Sequence, residues 1–435
     1  MTGTTAAILE ADQTWTGEAF EAGVQIQIGE DGRIADVGRL GLAPTLRLTD
    51  RALLPGFVSA HSHAFQRGLR GRGERFPAGS GSFWTWREAM YGLVGSLDAD
   101  TFESLCRRTF REMRRAGITT VGEFHYFHHG QEEAGWAFDE RVLSAASAAG
   151  IRIALLEVYY RTGAIGQPLE GAQRRFGTPS TTEYWEHMSR LAERLDPRRQ
   201  TLGASVHSLR AASLEDLRKV YDEARRRDLV FHIHVEEQRR EIEDALAYYG
   251  RRPMDLLLGT LGTSTDVTAV HCTHTQPEDM ERFLAGGGTV CICPLTEANL
   301  GDGIAGLPFL HERGGAVCLG SDSNARISLL EEMRWLEYAQ RLSTRSRGVL
   351  RDDEGQVART LLHAATAAGA QALGINAGQI APGAWADLAS IDLTAPTLAG
   401  WEPETLLESL VFGAAEEAVA GTCVGGEWEE YRGYS

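Results

Sequence analysis

Eight short apolar runs, separated by long amphipathic stretches, constrain this chain more than any other feature. The runs cover residues 52–60, 118–124, 152–159, 201–207, 229–235, 267–271, 289–292 and 316–321. Helical stretches rich in Arg and Glu separate most of them, among them 101–116, 214–227, 239–246 and 277–285. Strand then helix, repeated eight times, predicts an α/β fold of the (β/α)8 barrel type. An open doubly wound sheet would want a glycine-rich phosphate loop after the first strand, and none follows residue 60. The two chain ends read differently. Residues 24–28 alternate, and Asp31-Gly32 is a turn signal before the strand-like 33–37. Residues 384–392 and 411–427 are strand candidates near the other end.

Length and charge narrow the class further. A chain of 435 residues suits one large enzyme domain with a satellite. Acidic residues outnumber basic ones 60 to 43, a formal net charge of −17. That balance argues against nucleic acid or an anionic membrane surface as partner. No apolar stretch reaches the ~18 residues of a membrane span, and the first residues lack a signal-peptide pattern. Six cysteines without a close framework suit free thiols in a reducing cytoplasm.

In a barrel of this kind chemistry sits at the C-terminal strand ends. Those ends carry a consistent set here. The first run leads into His61-Ser62-His63, the fourth ends in His207, and the fifth runs through His232 and His234 into Glu236-Glu237. The sixth ends in His271, and the eighth runs into Ser321-Asp322-Ser323. Alternate strand residues share a face, so His61 and His63 are placed to chelate one ion together. His234, His271 and Asp322 at three further strand ends turn a weak pair motif into a metal centre. Burying so many donors without an ion would leave costly unpaired groups. Nitrogen and carboxylate ligands suit one Zn2+, with Fe2+ and Mn2+ as competitors. The fourth run ends in His207 and offers no lysine to bridge two ions.

These residues resemble the deaminase branch of the amidohydrolase superfamily. The carrying segments are Leu54-Pro55-Gly56-Phe57-Val58-Ser59-Ala60-His61-Ser62-His63, His234-Val235-Glu236-Glu237, His271 and Gly320-Ser321-Asp322. The segment Ala381-Pro382-Gly383-Ala384-Trp385-Ala386-Asp387-Leu388 is similar to the family's return strand. The resemblance spans essentially the whole chain. It implies a metal-dependent catalytic barrel over 52–382, with 1–51 and 383–435 folded together as a small β-sandwich. More specific segments, His63-Ala64-Phe65-Gln66-Arg67, 82–91, 124–129 and 206–211, resemble branch members that act on a linear formimidoyl group.

What the resemblance implies is a hydrolase acting on a carbon–nitrogen bond other than peptide. It would convert N-formimidoyl-L-glutamate to N-formyl-L-glutamate and ammonia, a step of histidine degradation. His61, His63, His234 and Asp322 would hold the metal. Asp322 would also take the proton of the attacking water, and His271 would orient that water. Glu237 would carry protons to the imino nitrogen, while Glu236 faces away. The dicarboxylate substrate needs fixed cations, and Arg87 and Arg210 are the candidates, because guanidinium pairs carboxylate bidentately. Gln66, Tyr126 and His207 would add neutral hydrogen bonds. A homodimer is usual among such relatives. The alternatives are a deaminase of a purine, pterin or triazine ring on the same fold, and a non-catalytic barrel scaffold. His125, His128 and His129 read as a loop near the substrate, with a second metal site as the alternative. Cys291 and Cys293 read as buried thiols. Residues 70–81 have the composition of a lid or of a plain solvated loop.

Overall fold

A computed structural model describes residues 7–74, 83–130, 135–262, 266–307 and 316–431. Eight parallel strands form the barrel: β1 (Phe57–Ser62), β2 (Ile118–His125), β3 (Arg152–Tyr159), β4 (Gln200–Val206), β5 (Phe231–Val235), β6 (Val267–His271), β7 (Thr289–Ile292) and β8 (Ala316–Leu319). Each pairs with its sequence neighbour. The ring closes through a parallel bridge between Ser62 and Asp322. Helices wrap the outside, as a parallel sheet requires on its outer face. Among them are α1 (Phe83–Ser96), α2 (Ala99–Arg115) and α3 (Ala137–Ala149). The amphipathic pattern of α2 turns Phe102, Leu105, Phe110 and Met113 inward, and Asp98 caps its first turn through Thr101 N.

Both chain ends build a second, mixed sheet of eight strands. Leu46–Pro55 lies at its centre, parallel to Ala7–Trp15 on one side and antiparallel to Leu388–Asp392 on the other. Val419–Val424 and Glu427–Glu430 extend it as a hairpin. The first apolar run is therefore two strands in two sheets. Leu46–Pro55 crosses from 51 to 52 within the end sheet, and β1 begins only after Gly56. A Cβ on Gly56 would sit 2.1 Å from Thr119 Oγ1, so the crossing point admits glycine alone. The second correction concerns 411–427. Its first residues end a helix, Leu406–Gly413, and the strand starts at Val419.

A buried ion pair joins the two sheets. Arg152, at the start of β3, donates from Nε to Asp387 Oδ2 (2.6 Å) and from Nη2 to Oδ1 (3.0 Å). Asp387 also accepts from Gly425 N at 2.7 Å, and the Arg152 guanidinium lies 4.1 Å from the Trp385 ring centre. A bidentate pair with its lone pairs satisfied is the geometry that offsets the cost of burying charge.

Candidate active site

The barrel seam and the polar strand ends are one place. His63 N donates to Asp322 O (2.9 Å), and Asp322 N donates to His61 O (3.1 Å). Closing the ring thus sets the last strand's carboxylate beside the first strand's two imidazoles. Asn324 secures the seam. Its Nδ2 donates to Ser62 Oγ (3.1 Å), His63 O (3.1 Å) and Asp322 O (2.9 Å). A Cβ on Gly320 would fall 2.8 Å from His61 Cβ and 2.9 Å from Cys293 Sγ, so the approach needs glycine. Asp322 and His271 hold positive φ angles of 42° and 72°. Non-glycine residues pay for such conformations, and they persist where the surroundings over-determine them.

One ligand atom each from His61, His63, His234 and Asp322 lies within 4.8 Å of the others, all four residues buried. His61 Nε2 is 3.2 Å from His63 Nε2 and 3.1 Å from His234 Nε2. A neutral His61 has one proton at most for Nε2, enough for only one of those two contacts. His63 Nδ1 already donates to Phe124 O and His234 Nδ1 to His207 O, each at 2.9 Å, so their Nε2 atoms carry lone pairs. Asp322 Oδ1 adds negative charge 3.3 Å from His63 Nε2 and 3.6 Å from His61 Nε2. Converging lone pairs and a carboxylate are a cation's donor set, and backbone carbonyls that fix the far ring nitrogens are its usual support. Burial lowers the pKa of all three histidines, that of His63 to about 3, so the rings stand neutral and ready to ligate. Burial opposes ionisation of Asp322, but its contacts with His61, His63 and His271 hold it below the usual carboxylate range.

Beside this group, His271 Nε2 lies 3.7 Å from Asp322 Oδ2 and 3.9 Å from Glu237 Oε1. Burial alone would lower its pKa. The facing carboxylates of Glu237, Glu297 and Asp322 push it up to about 10, a rise that a dication on Asp322 would oppose. Glu237 is buried, and desolvation raises its pKa against the pull of His271 and Arg210. A carboxyl shifted upward is suited to carry a proton near neutral pH. Glu236 turns away to accept from Met254 N (3.2 Å) and pair with Arg252 (3.2 Å).

A cavity opens over these groups. Gln66, Arg87, Tyr126, His207 and Arg210 all line it, together with Glu237. Gln66 Nε2 donates to Tyr126 OH at 2.7 Å. Arg87 comes from α1, its guanidinium 5.3 Å from the Tyr91 ring centre and in reach of Gly163 O (3.5 Å). Arg210 is buried, and its Nε has no hydrogen-bond partner among the described residues. The sequence reading did not single out Tyr91, Tyr160 and Phe176, which also line the cavity. Nor did it single out Glu297, whose Oε1 faces His271 Nδ1 at 3.1 Å and accepts from Cys293 N at 3.0 Å. The one available signal was Pro294-Leu295-Thr296-Glu297, a helix start that puts a carboxylate in the first turn.

The histidine cluster of the second strand lies elsewhere than expected. None of His125, His128 and His129 lines the cavity. Strand parity explains this. Phe124 and Tyr126 face inward, the Phe124 ring 4.9 Å from that of His61, and His125 therefore faces the helices. Asp139, in the first turn of α3, receives His125 Nε2 (2.8 Å), His128 Nδ1 (3.1 Å) and His187 Nε2 (2.7 Å). All four are buried, and Asp139→Ala leaves the three imidazoles with Glu157 as their one facing carboxylate among the described residues, 3.2 Å from His128 Nδ1. It is expected to cost about 3–5 kcal/mol of stability, read from denaturant unfolding of the metal-loaded protein. A loss below ~1 kcal/mol would mean that the network does not hold the second strand's loop. Of the segment 70–81, residues 75–81 lie outside the described residues.

The sequence model of the amidohydrolase family matches residues 52–428, and the chain belongs to that family. Within it, the chain is 39% identical to formimidoylglutamate deiminase of Pseudomonas aeruginosa over 424 residues, covering 96% of this chain and 93% of the relative. It is 30% identical to a 5-methylthioadenosine/S-adenosylhomocysteine deaminase of Syntrophobacter fumaroxidans, over 88% of this chain and 82% of that one. The crystal structure of an amidohydrolase from Brucella melitensis superposes with a TM-score of 0.89 at 32% identity, covering 98% of this chain and 95% of the other.

Proposed function

We propose that this protein is a formimidoylglutamate deiminase, hydrolysing N-formimidoyl-L-glutamate to N-formyl-L-glutamate and ammonia. The carrying observation is that two arginines, Arg87 and Arg210, line the same cavity as Glu237 and the metal-binding group. A ring substrate without charge has little use for two guanidinium groups, whereas a dicarboxylate needs them. The extent of likeness to the Pseudomonas aeruginosa deiminase supports the same reading.

The net reaction is R–NH–CH=NH2⁺ + H2O → R–NH–CHO + NH4⁺. His61, His63, His234 and Asp322 would hold one zinc ion, or iron(II) or manganese, which would supply a water of pKa lowered toward ~7. Asp322 takes the proton released as water adds to the amidine carbon. Its contacts with His61, His63 and His271 hold its pKa low, so it enters the reaction ionised and able to accept. His271, aimed by Glu297, hydrogen-bonds the attacking oxygen and fixes its direction. Glu237 delivers a proton to the imino nitrogen, so that ammonia rather than an amide anion leaves the tetrahedral carbon. Arg87 and Arg210 bind the two carboxylates, and Gln66, Tyr126 and His207 orient the formimidoyl end. The protein works in the cytoplasm, as a homodimer, in histidine degradation. Its six cysteines, all buried and free of disulfides, suit that compartment. No helix among the described residues is long and apolar enough to cross a membrane.

The test is ammonia release by zinc-loaded protein from N-formimidoyl-L-glutamate, alongside N-formimidoyl-L-aspartate and a panel of purines, pterins and triazines. Efficient turnover of the glutamate compound is expected, with the aspartate compound slower by about 10- to 200-fold, the worth of one methylene. Faster turnover of a ring substrate would overturn the assignment and leave the metal group intact.

A further inference from the structure

Cys293 follows β7 directly, and its Sγ lies where a Cβ on Gly320 would come within 2.9 Å of it. It tops a file of three buried thiols, Cys293, Cys291 and Cys318, which pack with Ala60 and Val270 in the barrel interior. The Cys291 thiol is in hydrogen-bond contact with both of the others. What sets Cys293 apart is its upper neighbours. One ligand atom each from His271, Cys293 and Asp322 lies within 4.8 Å of the others, and all three residues are buried. Asp322 faces two ways. Its Oδ1 points at His61 and His63, and its Oδ2 lies on the side of His271.

We infer that His271, Cys293 and Asp322 form a second, inhibitory site for a thiophilic divalent cation such as excess zinc or cadmium, sharing Asp322 with the first metal group. Imidazole, thiolate and carboxylate are a donor set that zinc accepts, and the sulfur favours softer ions over magnesium or calcium. Because the two oxygens of Asp322 serve different neighbours, the second ion need not displace the first. On binding, a sulfur–metal bond forms and the thiol proton leaves to solvent. The ion then occupies Asp322 and His271, the two residues that the reaction uses. Inhibition follows without any competition for the carboxylate-binding arginines. This outcome rests on the catalytic roles given above to Asp322 and His271. The occupancy of the site does not.

Cadmium is titrated into the zinc-loaded enzyme while the sulfur-to-cadmium charge-transfer band in the ultraviolet and the deiminase rate are recorded. The wild type is expected to take up one further equivalent, gain the band and lose activity. Cys293→Ala and Cys293→Ser are expected to keep the first equivalent and the basal rate, to show no band, and to require at least tenfold more zinc or cadmium for inhibition. Cys291→Ala should behave as wild type, tying the band to the upper thiol. Absence of the band in wild type, or equal inhibition of the Cys293 variants, would overturn the inference. A band without inhibition would overturn the inhibitory role, and with it the catalytic part given to Asp322 or His271, while leaving the ion site.

Discussion

Glu237→Gln is expected to lower kcat/KM for formimidoylglutamate by about 10²–10⁴-fold, the usual worth of a positioned general acid–base. The replacement keeps the shape of the side chain and removes its ability to exchange a proton. Its four neighbours in the metal-binding group are untouched, so bound metal per chain should stay as in wild type. Burial raises the Glu237 pKa, while His271 and Arg210 restrain the rise. That balance lets one carboxyl hold a proton for the imino nitrogen and still take one up again. The loss should appear in kcat as well as in kcat/KM, because proton delivery occurs after binding. Single-turnover rates together with metal analysis decide the matter. Near-normal turnover with full metal content would remove Glu237 from the chemistry.

Arg210→Met is expected to act on binding. A buried charge-assisted pair with a substrate carboxylate contributes about 2–4 kcal/mol, which corresponds to a KM raised roughly 30- to 800-fold. Methionine keeps much of the side-chain volume, so the cavity should not collapse. Two controls separate recognition from folding. A simple formamidine without carboxylates should be hydrolysed by the variant as slowly as by wild type. Arg210→Lys should recover part of the affinity, as a point charge does not reproduce the two-pronged contact. An unchanged KM for the dicarboxylate would sink the role given to Arg210 and weaken the substrate assignment with it.

Much of this arrangement could be read before any coordinates. The apolar runs at 152–159, 267–271 and 289–292 coincide with β3, β6 and β7, because buried parallel strands are short, apolar and bounded by polar strand ends. The histidines of the first, fifth and sixth strands stood out because strand parity and the barrel's chemistry both require them there. What stayed hidden depends on contacts between distant segments. Nothing local tells that 52–55 pairs with Leu388–Asp392 whereas Phe57 onward pairs with β2. The helix Leu406–Gly413 was missed because an apolar stretch of that length fits either strand or helix. His125 and His128 are drawn outward by Asp139 and by the parity of a strand whose last residue could not be fixed in advance. Asn324 looked like an ordinary turn residue, and its value lies in three bonds across the seam.

The seam has a consequence for the life history of the molecule. His61, His63 and Asp322 come from the first and last staves of the barrel, joined by the Ser62–Asp322 bridge. A chain emerging from the ribosome therefore owns three imidazole ligands well before it owns the carboxylate, and it cannot assemble the full set until the eighth strand has docked. Competence and completion arrive together. A half-made or partly unzipped barrel has no finished centre with which to activate water, so it is silent rather than wrongly active. Once the ring is shut, any ion held there clasps its two edges, and the free energy of holding it is added to the stability of the closed form.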